Sequence, residues 1–375
     1  MKKIFSVCVA VLSSAVMFSK SNAVFAENGK LLNVADFVLG NGSSEVDDIN
    51  SDGFIDSFDV VSARKDAVSN TNKVYVSTTQ ELISALENAK AGDEIILAEG
   101  TYENDEWVGK WAAFYSSAEG TSENKIILRS ENPYNPAVLC GVSNENKMGL
   151  YITGDYWVIK DIKVSTAQKG IVLDNSNYSV ISGCEVFDTG SEGIHLRDNS
   201  AYCRIQYCNV HDNGIVSPKY GEAIYIGSAE STTDYGYDCN YNTVDSCMLG
   251  PNTAAEHIDI KEYTTGTIVE NCIFDGTGMK GENYADSFVD IGGNDVIVRN
   301  NTGYRNENEI IADAFQLHLL VDGWGQNAQI YGNTVYLDNA DCYVANGWDC
   351  SAEVYDNIRY PDGNMYRGNL ITEKN

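Results

Sequence analysis

Proline is scarce in this chain, with five in 375 residues, and histidine is scarcer, with four. So few prolines leave little to interrupt continuous strand pairing. Positive charge is also short: 25 Lys and Arg stand against 54 Asp and Glu, a formal net charge of −29. A surface that acidic offers no basic footprint for nucleic acid or for an anionic membrane. Beyond the first residues no run is long and apolar enough for a membrane span. What is present is ample hydrophobic material, 43% of residues, enough for one large domain and a small one.

The start reads as an export signal over residues 1–26. Lys2 and Lys3 precede an apolar stretch from Ile4 to Phe18, and small residues around Ala23 to Ala26 offer a cleavage site. Cys8 lies inside the apolar stretch, which argues against a lipid anchor. The expectation is a secreted, extracellular, monomeric protein. Removing Lys2, Lys3 and Lys20 takes the charge to −32 (−29 − 3), and nine of the ten cysteines remain. An odd count leaves at least one thiol unpaired within the chain.

Within residues 27–70, the segment from Asp48 to Asp59 places Asp48, Asn50, Asp52, Asp56 and Asp59 at loop positions suited to a hard cation, with Gly53 at the bend. A helix-like stretch, Val60 to Val68, follows. With Asp rather than Glu at the last ligand position, the loop resembles a dockerin repeat. Lys30 to Val38 resembles the end of a first repeat without its early ligands. The resemblance implies Ca²⁺ binding and a cohesin of a scaffoldin as partner, with cell-surface placement through a cellulosome.

The remainder, 74–375, carries an internal repeat: an aliphatic residue, two variable residues, then Cys or Asn. It ends at Cys184, Cys208, Cys247, Cys272, Asn301, Asn333 and Asn357, with steps of 24, 39, 25, 29, 32 and 24. A base period near 24 with variable excess means one coil per repeat, the excess forming outer loops. A second strand in each coil alternates apolar and polar residues, as in Gly193 to Arg197, Ala223 to Gly227, His257 to Lys261 and Phe288 to Gly292. The pattern predicts an all-β chain wound as a parallel β-helix, the Cys/Asn column stacked inside it. Cys184, Cys208, Cys247 and Cys272 then read as packing residues. Cys342 and Cys350, outside the column, are better placed for a disulfide.

Ser77 to Glu81 offers several capping-box pairings, and Leu82, Ala85, Leu86 and Ala89 form an apolar stripe at helical spacing. This predicts a helix that covers the first coil. The following Gly92 to Tyr102, and Gly120 to Ile127, resemble the entry segments of pectate-lyase-like right-handed parallel β-helices. The resemblance implies a polysaccharide lyase.

With Ile194/Leu196, Ile224/Ile226, Ile258/Ile260 and Val289/Ile291 turned inward, the outward set is His195, Arg197, Tyr225, His257, Asp259, Lys261 and Asp290. Gln316 and His318 continue it, so three of the four histidines fall on one face. The loops that lengthen the coils between Cys208 and Cys247, and between Cys272 and Asn333, would wall a groove beside that face.

Glu256 to Lys261 is similar to a stretch of chondroitinase-B-like and alginate-lyase-like β-helix families in which a Ca²⁺-binding Glu precedes the lysine base by five residues. The arginine those families place one coil later has no counterpart, Asp290 standing near that position. Either the proton donor differs, with Tyr225, His195 or Arg197 able to serve, or the substrate does. The implied substrate is an acidic, uronate-containing polysaccharide such as pectin. Lys261 would be the base, Glu256, Asp259 and Asp290 would hold Ca²⁺, and Arg197 would grip a carboxylate. Elimination across C4–C5 needs a base for the C5 proton and positive charge beside the carboxylate. Bound cation, or a local basic cluster, would reconcile an acidic chain with an acidic substrate. Two other readings stay open: a glycoside hydrolase using Asp259 and Asp290, with Asp286 and Asp313 near them, and a non-catalytic sugar-binding solenoid using its tyrosines and Trp107, Trp111, Trp157, Trp324 and Trp348.

Overall fold

A computed structural model describes residues 72–106 and 111–374. The export signal and the proposed calcium loop, with Asp48, Asn50, Asp52, Asp56 and Asp59, lie outside the described residues, as does Trp107. No helix among the described residues is long and apolar enough to cross a membrane.

The chain winds through three parallel sheets of 12, 10 and 10 strands, each coil contributing one short strand to each sheet. This is the coiled solenoid expected from the repeat. At the entry, helix α1 (Thr79–Glu87) is fixed by a reciprocal cap: the Glu81 amide donates to the Thr78 hydroxyl, and the Glu81 carboxylate accepts from the Thr78 amide. Leu82 and Leu86 are buried on the first coils, so the helix closes the core where no earlier coil covers it.

Inside, aliphatic residues stack in register. Ile194, Ile224, Ile258, Val289, Phe315 and Ala345 form one fully buried file. Each large aliphatic side chain there contributes about 2 kcal/mol of burial. The Cys/Asn column is a ladder at a corner between two sheets. The Asn301 carboxamide accepts from the Cys272 amide (2.8 Å), Asn333 from the Asn301 amide (2.9 Å), and Asn357 from the Asn333 amide (3.1 Å). The cysteines instead hand their thiol protons to main-chain oxygens, as Cys208 does to Gln206 at 3.3 Å.

The Cys342–Cys350 disulfide does not form; both thiols are free and buried. They flank the extended strand Tyr343–Trp348, which holds their backbones roughly 20 Å apart, far beyond disulfide reach.

Candidate active site

The site lies on the outer face of one ten-stranded sheet, over strands Lys169–Asp174, Ile194–Arg197, Ile224–Ile226, Ile258–Ile260, Ser287–Ile291 and Asp313–His318. Parallel register turns sequence alternation into files of side chains. His195, Tyr225, Asp259, Asp290 and Gln316 form one outward file. Glu192, Glu222 and Glu256 form another, each two residues before the paired Ile194, Ile224 and Ile258. Arg197, Gly227 and Lys261 line a third, one residue beyond the paired Leu196, Ile226 and Ile260. Gly227 has φ +100°, and a Cβ there would stand 3.2 Å from the Lys261 Cβ, so the absent side chain leaves Lys261 its place.

Lys261 donates to Asp259 Oδ2 at 3.0 Å, and its ammonium lies 5.5 Å from the centre of the Tyr225 ring. Burial by itself would lower the pKa of Lys261, but Asp259, Tyr225 and Asp290 raise it overall. Tyr225 is pushed well above the ordinary phenol value by burial and then by Asp259, so its hydroxyl keeps its proton. His195 packs edge-on against the Tyr225 ring at 4.6 Å. Its Nε2 donates to the Gly227 carbonyl (3.0 Å) and its Nδ1 accepts from the Lys169 ammonium (3.2 Å). Burial, then Lys169 and Arg197, hold His195 neutral. With both nitrogens engaged, it positions Tyr225 rather than moving a proton.

Arg197 already has a carboxylate. Its Nε and Nη2 donate to Asp174 at 2.8 and 2.7 Å, the Tyr151 hydroxyl donates to the same Asp174, and the Tyr235 ring covers the guanidinium at 3.7 Å. Asp290 is paired with His318 Nδ1 at 3.0 Å. That partner outweighs the upward push of burial and holds the Asp290 carboxyl below its ordinary range.

His257 departs from expectation. It is fully buried against Phe274 and Phe288, with Nε2 donating to the Asp275 carbonyl at 2.8 Å. It precedes the strand Ile258–Ile260, at a corner where two consecutive side chains turn inward, as Phe288 and Val289 do one coil later. Alternation therefore does not extend back to it. Burial lowers its pKa to about 4.

Two residues absent from the sequence expectation enter the site, Glu192 and Glu222. Ligand oxygens of Glu222, Glu256 and Asp259 all lie within 4.8 Å of one another. Glu222 Oε2 and Asp259 Oδ1 are buried without a hydrogen-bond partner. Burial, with Glu192 and Asp259 beside it, raises the Glu222 pKa far above the carboxylate range. Burial, with Asp259 and Asp290, does the same for Glu256, and Asp259 itself rises to about 6. Hard oxygen donors crowded together without enough nearby cations fit Ca²⁺. The expected set keeps Glu256 and Asp259, gains Glu222 and gives Asp290 to His318. The only signal for Glu222 was its register with Glu256, which needs the 33 intervening residues to be threaded correctly.

Beside these residues a pocket of about 300 Å³ is floored by Lys169, Glu192, His195, Arg197 and Tyr225. Tyr220 walls it on one side, and loop residues 228–235, ending in Tyr235, on the other. These loops are the inserted lengths that expanded the coil between Cys208 and Cys247. Trp157 is wholly buried in packing, whereas Trp324 joins Tyr263 and Tyr237 in an aromatic cluster on a bordering loop.

Comparison with known proteins agrees with this architecture. An alginate lyase from Paenibacillus sp. str. FPU-7 is 46% identical over 80% of this chain and 99% of its own, with a TM-score of 0.77. Pectate lyase Pel9A (14% identity, 81% and 79% covered, TM-score 0.63) and a rhamnogalacturonan lyase (14%, 76% and 79%, 0.57) share the fold. No curated protein sequence matches the chain. The neighbours are polysaccharide lyases, which bears out the expectation of a lyase. Residues 61–313 match the family described as "Pel9A-like, right handed beta helix region", and the chain belongs to that family.

Proposed function

We propose that this protein cleaves a 4-linked, uronate-containing polysaccharide, alginate foremost, by β-elimination. The observation that carries the reading is the pairing of Tyr225 and Lys261 over buried carboxylates on one groove floor. Lys261, as the free amine, takes the C5 proton, and the Tyr225 phenol gives its proton to the departing O4. The 46% identity to an alginate lyase that the chain matches over nearly its whole length favours alginate over pectin.

Glu222, Glu256 and Asp259 are the residues that would hold Ca²⁺. A bound cation there would supply positive charge beside the uronate carboxylate and offset the acidic field acting on Lys261. Arg197, locked by Asp174 and Tyr235, shapes the pocket and keeps one face of its charge toward it. The lysine pair of the first residues and the apolar stretch after it favour work outside the cell. The Asp48–Asp59 loop favours attachment through a cohesin.

The test is product formation on alginate, pectate and chondroitin with and without EDTA, followed by ultraviolet absorbance of the C4–C5 unsaturated end. Lys261→Ala and Tyr225→Phe are each expected to lower kcat by about a hundredfold or more while leaving the fold intact. Reducing ends released without absorbance would mean hydrolysis, and binding without cleavage would mean a non-catalytic solenoid; either result overturns the proposal.

A further inference from the structure

The placement of the proton-handling pair also bears on stereochemistry, an inference that rests on the lyase reading above. Tyr225 and Lys261 rise from adjacent strands of one sheet and from the same face of it. A sugar ring lying over them therefore meets both groups from one side. The other ionisable groups lining the adjacent pocket, Lys169, Glu192, His195 and Arg197, belong to the floor strands or the turns leading into them. The pocket's walls contribute only phenols, Tyr220 and Tyr235, with Ser228, Ala229 and Thr232. Lys219, on the short turn Pro218–Tyr220, lies over the Tyr220 ring at 4.7 Å and does not line the pocket. No amine, imidazole or carboxylate of the described pocket lining faces the floor from across the substrate.

We propose that this enzyme eliminates syn, and so selects 4-linked uronates whose C5 hydrogen and C4 oxygen lie on the same ring face. β-D-Mannuronate and β-D-glucuronate have that configuration; α-L-guluronate and α-D-galacturonate place the two on opposite faces. In the syn step the C5–H bond breaks and its proton passes to the Lys261 amine. The electron pair forms C4=C5, the C4–O bond breaks, and the leaving oxygen takes the Tyr225 proton. The Lys261 ammonium, 5.5 Å from the centre of the Tyr225 ring, then returns a proton to the phenolate and restores both groups. One C–O bond is lost and one C=C bond gained, with no water, oxidant or reductant consumed. For anti elimination, base and acid would have to reach opposite faces of the ring, and the floor supplies only one.

The experiment compares kcat/KM of the full-length protein on poly-β-mannuronate, glucuronan, poly-α-guluronate and polygalacturonate. Lys261→Ala, Tyr225→Phe and Lys219→Ala are run on the best polymer. Expected is a preference on the order of a hundredfold for at least one of the first two polymers over both of the last two. Activity should be lost in Lys261→Ala and Tyr225→Phe and kept in Lys219→Ala. If guluronate or galacturonate polymer is preferred while Lys261 and Tyr225 remain essential, syn geometry is wrong and the lyase reading survives. Loss of activity in Lys219→Ala would place a group on the opposite face and overturn the inference directly. Absence of unsaturated product from every polymer would remove both this inference and the lyase reading beneath it.

Discussion

At the residue scale, one face holds groups with opposite duties. In the proposed reaction Tyr225 and Lys261 move protons, while His195 and Arg197 are tied down by their neighbours, and Glu222, Glu256 and Asp259 crowd negative charge together. Replacing Glu222 by Gln removes one hard donor from that crowd. The expected outcome is a smaller rise in melting temperature on adding Ca²⁺ than the parent protein shows. The Asp48–Asp59 loop offers a second place for Ca²⁺, so the comparison is between variant and parent, both full-length. An unchanged Ca²⁺-induced shift would dissociate Glu222 from the cation.

His257 gives a pH prediction of its own. Its pKa falls from 6.5 in the open chain to about 4 in the fold, so between those values the unfolded chain binds the extra proton and stability falls as the solution is acidified. The contribution is complete above pH 6.5 and is lost on approaching pH 4, about 3 kcal/mol in all. His257→Gln keeps a donor for the Asp275 carbonyl but has nothing to titrate. Denaturation midpoints across this window should therefore fall less steeply for the variant; equal slopes would show that His257 is not held neutral.

At the element scale, the corner ladder couples successive coils. Asn333 donates to the Val298 carbonyl at 3.0 Å and accepts from both the amide and the carboxamide of Asn301. Asn333→Leu keeps the volume but strands these buried main-chain groups, at a cost on the order of 3 kcal/mol. A lowered midpoint in urea at unchanged slope is the expected result. The change lies at the corner between the other two sheets, away from the sheet that carries the groove, so the KM of the folded variant should match that of the parent.

The ladder, the inward aliphatic files and the capping helix could all be read from the chain because each obeys a local spacing rule. His257 could not, since the corner before its strand breaks the alternation on which its placement depended. The Cys342–Cys350 pairing failed for a related reason: closeness in sequence means separation in space when a strand runs between. Glu222 went unnoticed because loop insertions hide its register with Glu256 until the coils are stacked.

At the scale of the whole molecule, a net charge of −29 would meet a polyanion in the proposed substrate. Repulsion between like charges slows encounter, and salt shortens its reach from about 30 Å at 0.01 M to about 8 Å at 0.15 M. At fixed Ca²⁺, kcat/KM on alginate should therefore rise severalfold as NaCl increases across that range. A fall instead would mean that the local cations Lys169, Arg197 and Lys261 govern encounter and that the global field does not.

Local residue pattern was enough to specify the coil, because stacking an apolar file every 24 or so residues leaves a chain few other ways to bury it. It also determined which strand face is polar, since alternation is a property of neighbouring residues. Which of those polar groups meet depended on how the coils stack. Contacts between coils join residues about 20 to 40 positions apart, and the lengths of the outer loops set which residue stands beside which. That register made Lys261 the neighbour of Tyr225, gave Asp174 to Arg197, and gathered three carboxylates where spacing along the chain had suggested only two of them and Asp290.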